Sequence, residues 1–382
     1  GAGTWNIGLA YPDKFAALAP IMGPTEFNFW NGPADGKILP VRKFINEQRS
    51  ALSYAENSLH LPIFCNHGVQ DDIVPIEQSR KMVKRLRELG YNIEYVEHPD
   101  AQHGGFKPEM DQGIYDWFEN LERNPDPKKV VLKSGDLKHC RSYWVKIGRF
   151  VNLLQFAKVT AEIVSANTIR VETDNVARFS LFLTDKLVDI EQPITVIIND
   201  QKEFQIALKR IQRFVFSAKL TDDGKIADWR EGNLWHDRKL IKKTGLMGPI
   251  VDAFNTGFVL VYGSKGTAEE NLVTKREAEA FSAQWRSWQH VPCRIMKDTK
   301  ISDNEIEKYN LILFGDANCN LIVRKIDEFL PLCVKENSIV AGDKEFKGDD
   351  VGLAMIYPNP LNANRYVVIF AGTTSRATIG IT

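Results

Sequence analysis

Residues 63–106 read IFCNHGVQDDIVPIEQSRKMVKRLRELGYNIEYVEHPDAQHGGF, and this stretch decides the fold of the N-terminal third of the chain. The apolar run 63–65 predicts a buried parallel strand, and apolar residues within 82–89 recur at helical spacing until Gly90. A second strand is predicted around 93–96. The stretch is therefore a strand–helix–strand unit. The loops beyond its strands lie at the edge where open α/β sheets carry their chemistry.

Acidic residues and a histidine follow the two strands. Asp71 and Asp72 lie just beyond the first strand, and His103 lies in a glycine-flanked loop beyond the second. An Asp followed by a His is the second half of the Ser–Asp–His order of α/β-hydrolases, in which the carboxylate orients the imidazole and the imidazole moves the serine proton. The spacing HG-x-x-D, with the acid four residues after His67, favours Asp71 over Asp72. On spacing alone, turn-forming carboxylates and a surface histidine explain these residues equally well.

Two further patterns carry a resemblance to a known family. HGVQDDIVPIEQSRKM (67–82) followed by HPDAQHGGF (98–106), and upstream GAGTWNIGLAYPDKFAALAPIMG (1–23), resemble the catalytic domain of the prolyl oligopeptidase family and its esterase-like, multidomain bacterial members. The resemblance implies an α/β-hydrolase fold and a serine peptidase or carboxylesterase that needs no cofactor or metal. It implies that Asp71 and His103 are catalytic, and it favours an exported protein over a cytoplasmic one.

The resemblance also implies a nucleophile elbow of the form G-x-S-x-G-G-x-G-T-W, with Gly1 at about its last glycine. The serine is therefore expected just before Gly1, since the chain contains no other G-x-S-x-G. We accordingly expect the chain to be N-terminally truncated and inactive alone. The central strands that precede the elbow would then be missing, leaving an apolar sheet edge that a homodimer or a separate N-terminal half could cover.

The composition limits the classes of partner and of metal site that the chain is expected to have. The 382 residues contain 49 Lys+Arg and 49 Asp+Glu, so bulk charge predicts neither a nucleic-acid nor an anionic-membrane partner. The five scattered cysteines lack C-x-x-C spacing, which argues against a disulfide framework and a zinc site. The resemblance implies an ester or peptide substrate, including one attached to a polysaccharide. The alternative is a non-catalytic scaffold with hydrolase-like architecture that binds polysaccharide or protein.

The sequence predicts three domains of α/β and β class. Residues 1–127 form the C-terminal half of an α/β-hydrolase catalytic domain, and a Pro-rich, charged linker closes it. Short alternating strands over 128–222 predict an antiparallel β-sandwich as an accessory domain. Apolar strands alternating with helices over 223–382 predict a small Rossmann-like, three-layer α/β domain. A charged connector is expected over 222–243.

The sequence leaves two interpretations open for four aromatic residues and for one glycine-containing turn. Phe29 and Trp30, in a Gly- and Pro-rich loop, are candidate substrate-binding residues, although packing of the loop onto its domain explains them somewhat better. Trp144 and Trp229 are more typical of a core than of a glycan-stacking platform. The run 263–266 lacks both G-x-G-x-x-G and a Walker lysine, so a plain strand-to-helix turn is favoured over an anion site.

Overall fold

The structure, a computed structural model, describes residues 1–28, 38–104, 108–207, 212–234, 240 and 242–381, without the side chains of 108–111 and 212. The chain divides into two compact units, 1–236 and 237–382. The described helices include none that is both long and apolar enough to cross a bilayer.

Residues 1–127, here called the hydrolase segment, are mixed α/β. Its helices are α1 (Ala2–Ala10), α2 (Pro40–Arg49), α3 (Glu77–Glu88) and α4 (Pro108–Phe118), and its strands are β1 (Ile63–Gly68) and β2 (Ile93–His98). The strands pair in parallel, with Ile63 opposite Ile93, and α3 connects them. The predicted strand–helix–strand unit is confirmed. Gly90, in the left-handed region at φ 73°, follows the helix as predicted.

The segment 17–22 runs parallel to β1 on the side away from β2, but it forms only isolated bridges. Leu18, Pro20 and Met22 direct their backbone groups toward β1. Pro20 has no N–H, so the ladder bond that this position would donate is missing. Proline therefore interrupts the strand that the apolar pattern predicts here.

The main core of the hydrolase segment lies on the face of this small sheet that carries Ile63 and Cys65. Trp5 and Leu9 of α1 pack with Ile63 and Cys65 of β1, and all four are at most 1% exposed. The apolar stripe of α3 is buried by the same cluster through Met82 and Leu86. The helical spacing read from the sequence thus corresponds to the buried face.

The remainder of the first unit is a β-sandwich. Its strands are β3 (Lys129–Ser134), β4 (Arg141–Ser142), β5 (Val145–Phe150), β6 (Ala157–Ser165), β7 (Thr168–Asp174), β8 (Val176–Leu183), β9 (Ile194–Ile198), β10 (Lys202–Ile206), β11 (Gln212–Leu220) and β12 (Ile226–Glu231). One sheet has the order β10-β9-β7-β6-β3 and the other β12-β11-β8-β5-β4. All pairs are antiparallel except β7 with β9. Alternate side chains meet between the sheets, as where the rings of Phe204 and Phe216 lie 5.2 Å apart.

In this region the structure differs from one prediction, that of a connector, and it decides between the two interpretations of the tryptophans. The stretch after Leu220, expected to be a connector, instead contributes β12, whose Trp229 is 4% exposed. Trp144 is 3% exposed, and its Nε1 donates to the carbonyl of Pro127 at 2.8 Å. Both tryptophans are therefore core residues and not stacking platforms.

The second unit is built on a largely parallel sheet. Its strands are β13 (Phe258–Tyr262), β14 (Ile295–Lys297), β15 (Asn310–Phe314), β16 (Leu332–Lys335), β17 (Ser338–Ala341), β18 (Lys344–Lys347), β19 (Gly352–Asn359) and β20 (Asn362–Gly372), and its helices are α5 (Ala268–Gln289), α6 (Asp303–Lys308), α7 (Leu321–Ile326) and α8 (Ser375–Ile379). The sheet order is β14-β13-β15-β20-β19, with only β19 antiparallel to its neighbour. Strands β16 to β18 form a separate antiparallel meander.

Successive residues of the central strands face opposite layers. In β13, Val259 and Val261 belong to the core that includes Ile322 of α7, whereas Leu260 belongs to the core that includes Ala278 of α5. This alternation gives three layers, with the sheet in the middle.

The turn after β13 already uses its backbone donors within the protein. The N–H groups of Ser264 and Lys265 donate to the carbonyl of Cys319, and Ser264 also bonds to the buried carboxylate of Asp298. The geometry agrees with a plain strand-to-helix turn.

Candidate active site

Asp71 lies in the tight loop between β1 and α3. Its Oδ1 accepts the backbone N–H groups of Ile73 at 2.9 Å and Val74 at 2.8 Å. Such an Asx-type turn fixes the carboxylate relative to the end of β1, and the side chain has no exposed surface. The loop thus holds one carboxylate oxygen, and the other is directed toward the loop after β2.

His103 meets that second oxygen. Its Nδ1 lies 2.8 Å from Asp71 Oδ2, and its side chain remains 34% exposed. Because an ionised carboxylate can only accept, Nδ1 carries the proton in this bond, so in the neutral form of the imidazole Nε2 is the nitrogen with the free lone pair. Among the described residues, no serine hydroxyl bonds to His103.

The two loops are joined by backbone contacts. Val69 N–H donates to His98 O at 2.9 Å, and Gln70 N–H donates to Ala101 O at 3.1 Å. A Cβ on Gly68 would lie 2.2 Å from Ala101 O, which no side chain can tolerate without movement. Glycine at the end of β1 therefore allows the acid loop and the histidine loop to approach each other.

A buried histidine, His67, lies next to the carboxylate of Asp71. His67 is fully buried, and its Nε2 lies 2.9 Å from the carbonyl of Val74 and 3.3 Å from Asp71 Oδ2. Since both are acceptors, Nε2 carries the proton. Nδ1 then accepts from the hydroxyl of Ser79 at 2.7 Å. His67 thus bonds within the acid loop, and no sequence signal pointed to Ser79 as its other partner.

The electrostatic environment keeps Asp71 ionised. Burial alone would raise the pKa of its carboxyl, but the N–H of Val74, the hydrogen bond and charge of His103 and the N–H of Ile73 outweigh this effect and hold the pKa below its usual value. A charged, fixed carboxylate is what is required to orient an imidazole and to stabilise its protonated form.

The other candidates lie elsewhere. Asp72 is exposed and forms no described contact with His103. His98 bonds through Nε2 to Asn66 Oδ1 at 2.9 Å, and burial lowers its pKa, in agreement with a structural role. Phe29 and Trp30 fall outside the described residues. No group of three or more His, Cys, Asp or Glu among the described residues is placed to hold a metal ion.

The amino end of α1 lies close to this pair. A Cβ on Gly1 would be 2.3 Å from Ile21 O and 2.5 Å from Gly23 Cα. Next to them, Met22 Sδ accepts from the N–H of Gly104, the neighbour of His103, at 3.4 Å. Met22 itself adopts φ 48°, an uncommon conformation for a side chain of this size. Gly1 therefore packs on the segment 21–23, whose Met22 contacts the histidine loop.

The model of the prolyl oligopeptidase family matches residues 37–122. Residues 37–122 are thus similar to this family. The match spans the strand–helix–strand unit and both members of the Asp71–His103 pair, and it supports the serine-hydrolase interpretation of the hydrolase segment.

Individual relatives overlap only this part of the chain. An uncharacterized secreted protein of Arthroderma benhamiae is 29% identical over 109 residues, which are 27% of this chain and 12% of the relative. A thermostable esterase is 27% identical, with 32% of this chain and 28% of its own covered and a TM-score of 0.24. The acylaminoacyl peptidase of Pyrococcus horikoshii is 19% identical, with 31% and 22% covered and a TM-score of 0.27. This chain thus spans less than a third of the length of each, and structural scores this low do not by themselves establish a fold.

Proposed function

We propose that Asp71 and His103 are the acid and the base of a Ser–Asp–His hydrolase that cleaves an ester or peptide bond. The observation that carries the proposal is the 2.8 Å bond between His103 Nδ1 and Asp71 Oδ2. This bond selects the tautomer in which Nε2 of the neutral imidazole has the free lone pair, and that nitrogen would accept the proton of a serine hydroxyl.

The chemistry follows from this arrangement. The serine oxygen attacks the substrate carbonyl while His103 removes its proton, and the imidazolium then protonates the departing alcohol or amine. Water, deprotonated by the same imidazole, hydrolyses the acyl-enzyme. Asp71 stays ionised throughout and stabilises the transient positive charge on His103.

The nucleophile in this proposal comes from residues that precede Gly1. Two observations support this placement. The amino end of α1 packs beside the histidine loop, as described above. In addition, Ala17, Ala19 and Ile21 direct their backbone groups away from β1, to an edge where no described strand pairs with them. A parallel strand at that edge, turning into α1, would place a serine near His103 Nε2.

The test compares this chain with a version extended upstream through the G-x-S-x-G sequence that the proposal requires there. We expect the extended protein to react with a fluorophosphonate probe and to hydrolyse p-nitrophenyl butyrate, whereas this chain does neither. In the extended protein, Asp71→Asn should lower kcat on the order of 10⁴-fold, because the imidazole loses its orienting charge.

Asp72→Asn is the matched control, since it makes the same chemical change one residue away on an exposed side chain. It should leave kcat within about twofold, as substitutions outside the machinery usually do. Serine-dependent hydrolysis by this chain without upstream residues, or full activity of Asp71→Asn, would contradict the proposal. An extended protein that folds but never reacts would favour the non-catalytic scaffold.

We also propose that the protein is exported. The secreted relative from Arthroderma benhamiae supports this, although it overlaps only 27% of the chain. Detection of the native protein by antibody in the cytoplasmic fraction alone would contradict export.

A further inference from the structure

A cleft of about 650 Å³ opens in the first unit between the hydrolase segment and the β-sandwich. Three arginines contribute to its wall: Arg123 from the hydrolase segment, and Arg141 and Arg213 from the β-sandwich. We propose that this arginine cleft is a binding site for a small molecule that carries an oxyanion group, a carboxylate or a phosphate. The site is separate from the Asp71–His103 pair and does not depend on its function.

Two of the guanidinium groups are held by one aromatic ring. Arg141 Cζ lies 4.4 Å and Arg213 Cζ 5.8 Å from the ring centre of Phe182. Stacking on a ring fixes the plane of a guanidinium group while leaving its N–H edge free for a planar, two-oxygen acceptor. Neither arginine forms an ion pair with a described carboxylate. Arg213 Nε donates to Ser180 Oγ at 3.3 Å, which leaves its terminal N–H groups and the donors of Arg141 for an anion.

The rim is also fixed before any ligand binds. Tyr143, in the turn between β4 and β5, adopts φ 49°, and its hydroxyl donates to Pro12 O at 3.4 Å. The next residue, Trp144, is anchored by its bond to Pro127 O. The turn is thereby tied to the hydrolase segment on both sides. A non-glycine residue in the left-handed region persists only where its surroundings hold it, so this wall is rigid.

The charge of the lining favours an anion. Besides the three arginines, Lys14 lines the cleft, against the carboxylates of Asp13 and Asp126, so the net charge is +2. Lys14 pairs with Asp13 at 3.3 Å, which leaves three arginines and one carboxylate, that of Asp126, as the remaining charges of the lining. Thr184 adds a buried hydroxyl for which no described residue is a partner. A volume of this size is typical of small-molecule sites, which span about 300–1,000 Å³.

The test is calorimetric titration of the full chain with phosphate and, in a separate arm, citrate, at an ionic strength held constant with sodium chloride. We expect saturable binding of at least one of them, with the better ligand identifying the anion class. Arg141→Gln and Arg213→Gln should each weaken binding by about tenfold or more, because each removes a charged hydrogen-bond donor.

Arg170→Gln is the matched control: it removes an arginine charge on β7 of the other sheet, where Arg170 pairs with Asp200 at 3.1 Å, and binding should be unchanged. All three arginines are exposed, so the variants should fold, which circular dichroism verifies. The proposal is overturned if neither anion binds beyond the chloride background, or if binding survives in both cleft variants. Loss of binding in the Arg170→Gln control would equally overturn it, since the effect would then be one of bulk charge.

Discussion

At the scale of single residues, two buried carboxylates of the first unit, those of Asp71 and Glu56, each accept hydrogen bonds from several partners. Asp71 accepts two backbone N–H groups on one oxygen and His103 on the other. Glu56 accepts Lys133 at 3.2 Å and Arg85 at 3.2 Å on Oε1. In both residues the partners offset the cost of taking the charge out of water. Their ionisation should therefore be linked to folding.

Glu56 provides the test of that linkage. Burial alone would raise its pKa, but Lys133 and, to a smaller degree, Arg85 bring it below the ordinary value. A carboxyl whose pKa is lower in the folded than in the unfolded chain stabilises the fold at neutral pH, and this contribution is lost as the pH falls through the folded-state pKa. We expect Glu56→Gln to lower the free energy of unfolding by about 1–3 kcal/mol at pH 7, since it takes the charged acceptor away from Lys133 and Arg85, whose side chains are 23% and 40% exposed.

Urea titrations between pH 7 and pH 3 would measure this, and the variant should show the flatter dependence of stability on pH. Glu162→Gln is the control, because Glu162 pairs with Lys129, on the same strand as Lys133, but both side chains are more than 40% exposed. Exposed pairs contribute about 0–1 kcal/mol. Equal effects of the two substitutions would show that burial of Glu56 is not what makes its charge important.

At the scale of elements, the site depends on how two adjacent parallel strands end. Gly68 and His98 are register partners at the ends of β1 and β2, and the following loops exchange backbone hydrogen bonds. Hydrophobic patterning predicted both strands and α3. It did not predict that Pro20 would reduce the neighbouring strand to isolated bridges. The close approach at Gly68 is likewise a property of the pairing and not of either strand alone.

We expect Gly68→Ala to destabilise the first unit by about 1–3 kcal/mol, as overpacking does, and to move the two loops apart. The Nδ1 proton of His103 would then exchange faster with solvent, which NMR can follow. Gly113→Ala, in α4, is the control: its Cβ would enter open space. Replacing a mid-helix glycine by alanine should stabilise by about 0.5–1 kcal/mol. An unchanged His103 proton in Gly68→Ala would refute the role given to this glycine.

At the scale of the whole molecule, the hydrolase segment and the β-sandwich share one compact unit. Asn57 shows how they are joined. Its buried side chain donates to Leu9 O at 2.9 Å and Lys133 O at 3.0 Å, and it accepts the N–H of Lys133 at 2.7 Å. The ion pair between Glu56 and Lys133 lies beside it. These contacts cross the proline-rich linker that, in the sequence, reads as a boundary between two domains.

Residues 1–236 expressed alone should therefore unfold in one cooperative urea transition, whereas 1–127 should not. Cutting at 127 leaves Asn57 and Glu56 without Lys133, and buried polar groups without partners cost about 1–3 kcal/mol each. Circular dichroism and fluorescence should give coincident curves for the longer fragment. A cooperative transition of the same midpoint in 1–127 would show that the β-sandwich does not support the hydrolase segment.

Sequence patterns predicted the fold classes and the strand–helix–strand unit, and with the family resemblance they selected Asp71 and His103 as the proposed acid and base. Periodicity suffices for the elements because burial of one face is repeated every two or every three to four residues. The order of Asp71 and His103 in the chain, together with the family resemblance, is sufficient to select these two residues as candidates. Asp71 was chosen over Asp72 by spacing, and its hydrogen bond to His103 agrees with that choice.

Contacts between residues far apart in the chain could not be predicted from hydrophobic periodicity or from the order of motif residues. The support of His67 by Ser79, the joining of Asn57 to Lys133 and the arrangement of Arg123, Arg141 and Arg213 around one cleft arise only when separate elements pack. The local sequence pattern indicates which face of a helix or strand is buried, but it does not indicate which residues pack against that face. The sequence by itself therefore determined the helices and strands, and it selected Asp71 and His103 as candidates. Tertiary structure decided which polar groups meet, because a buried partner is specified by packing and not by spacing.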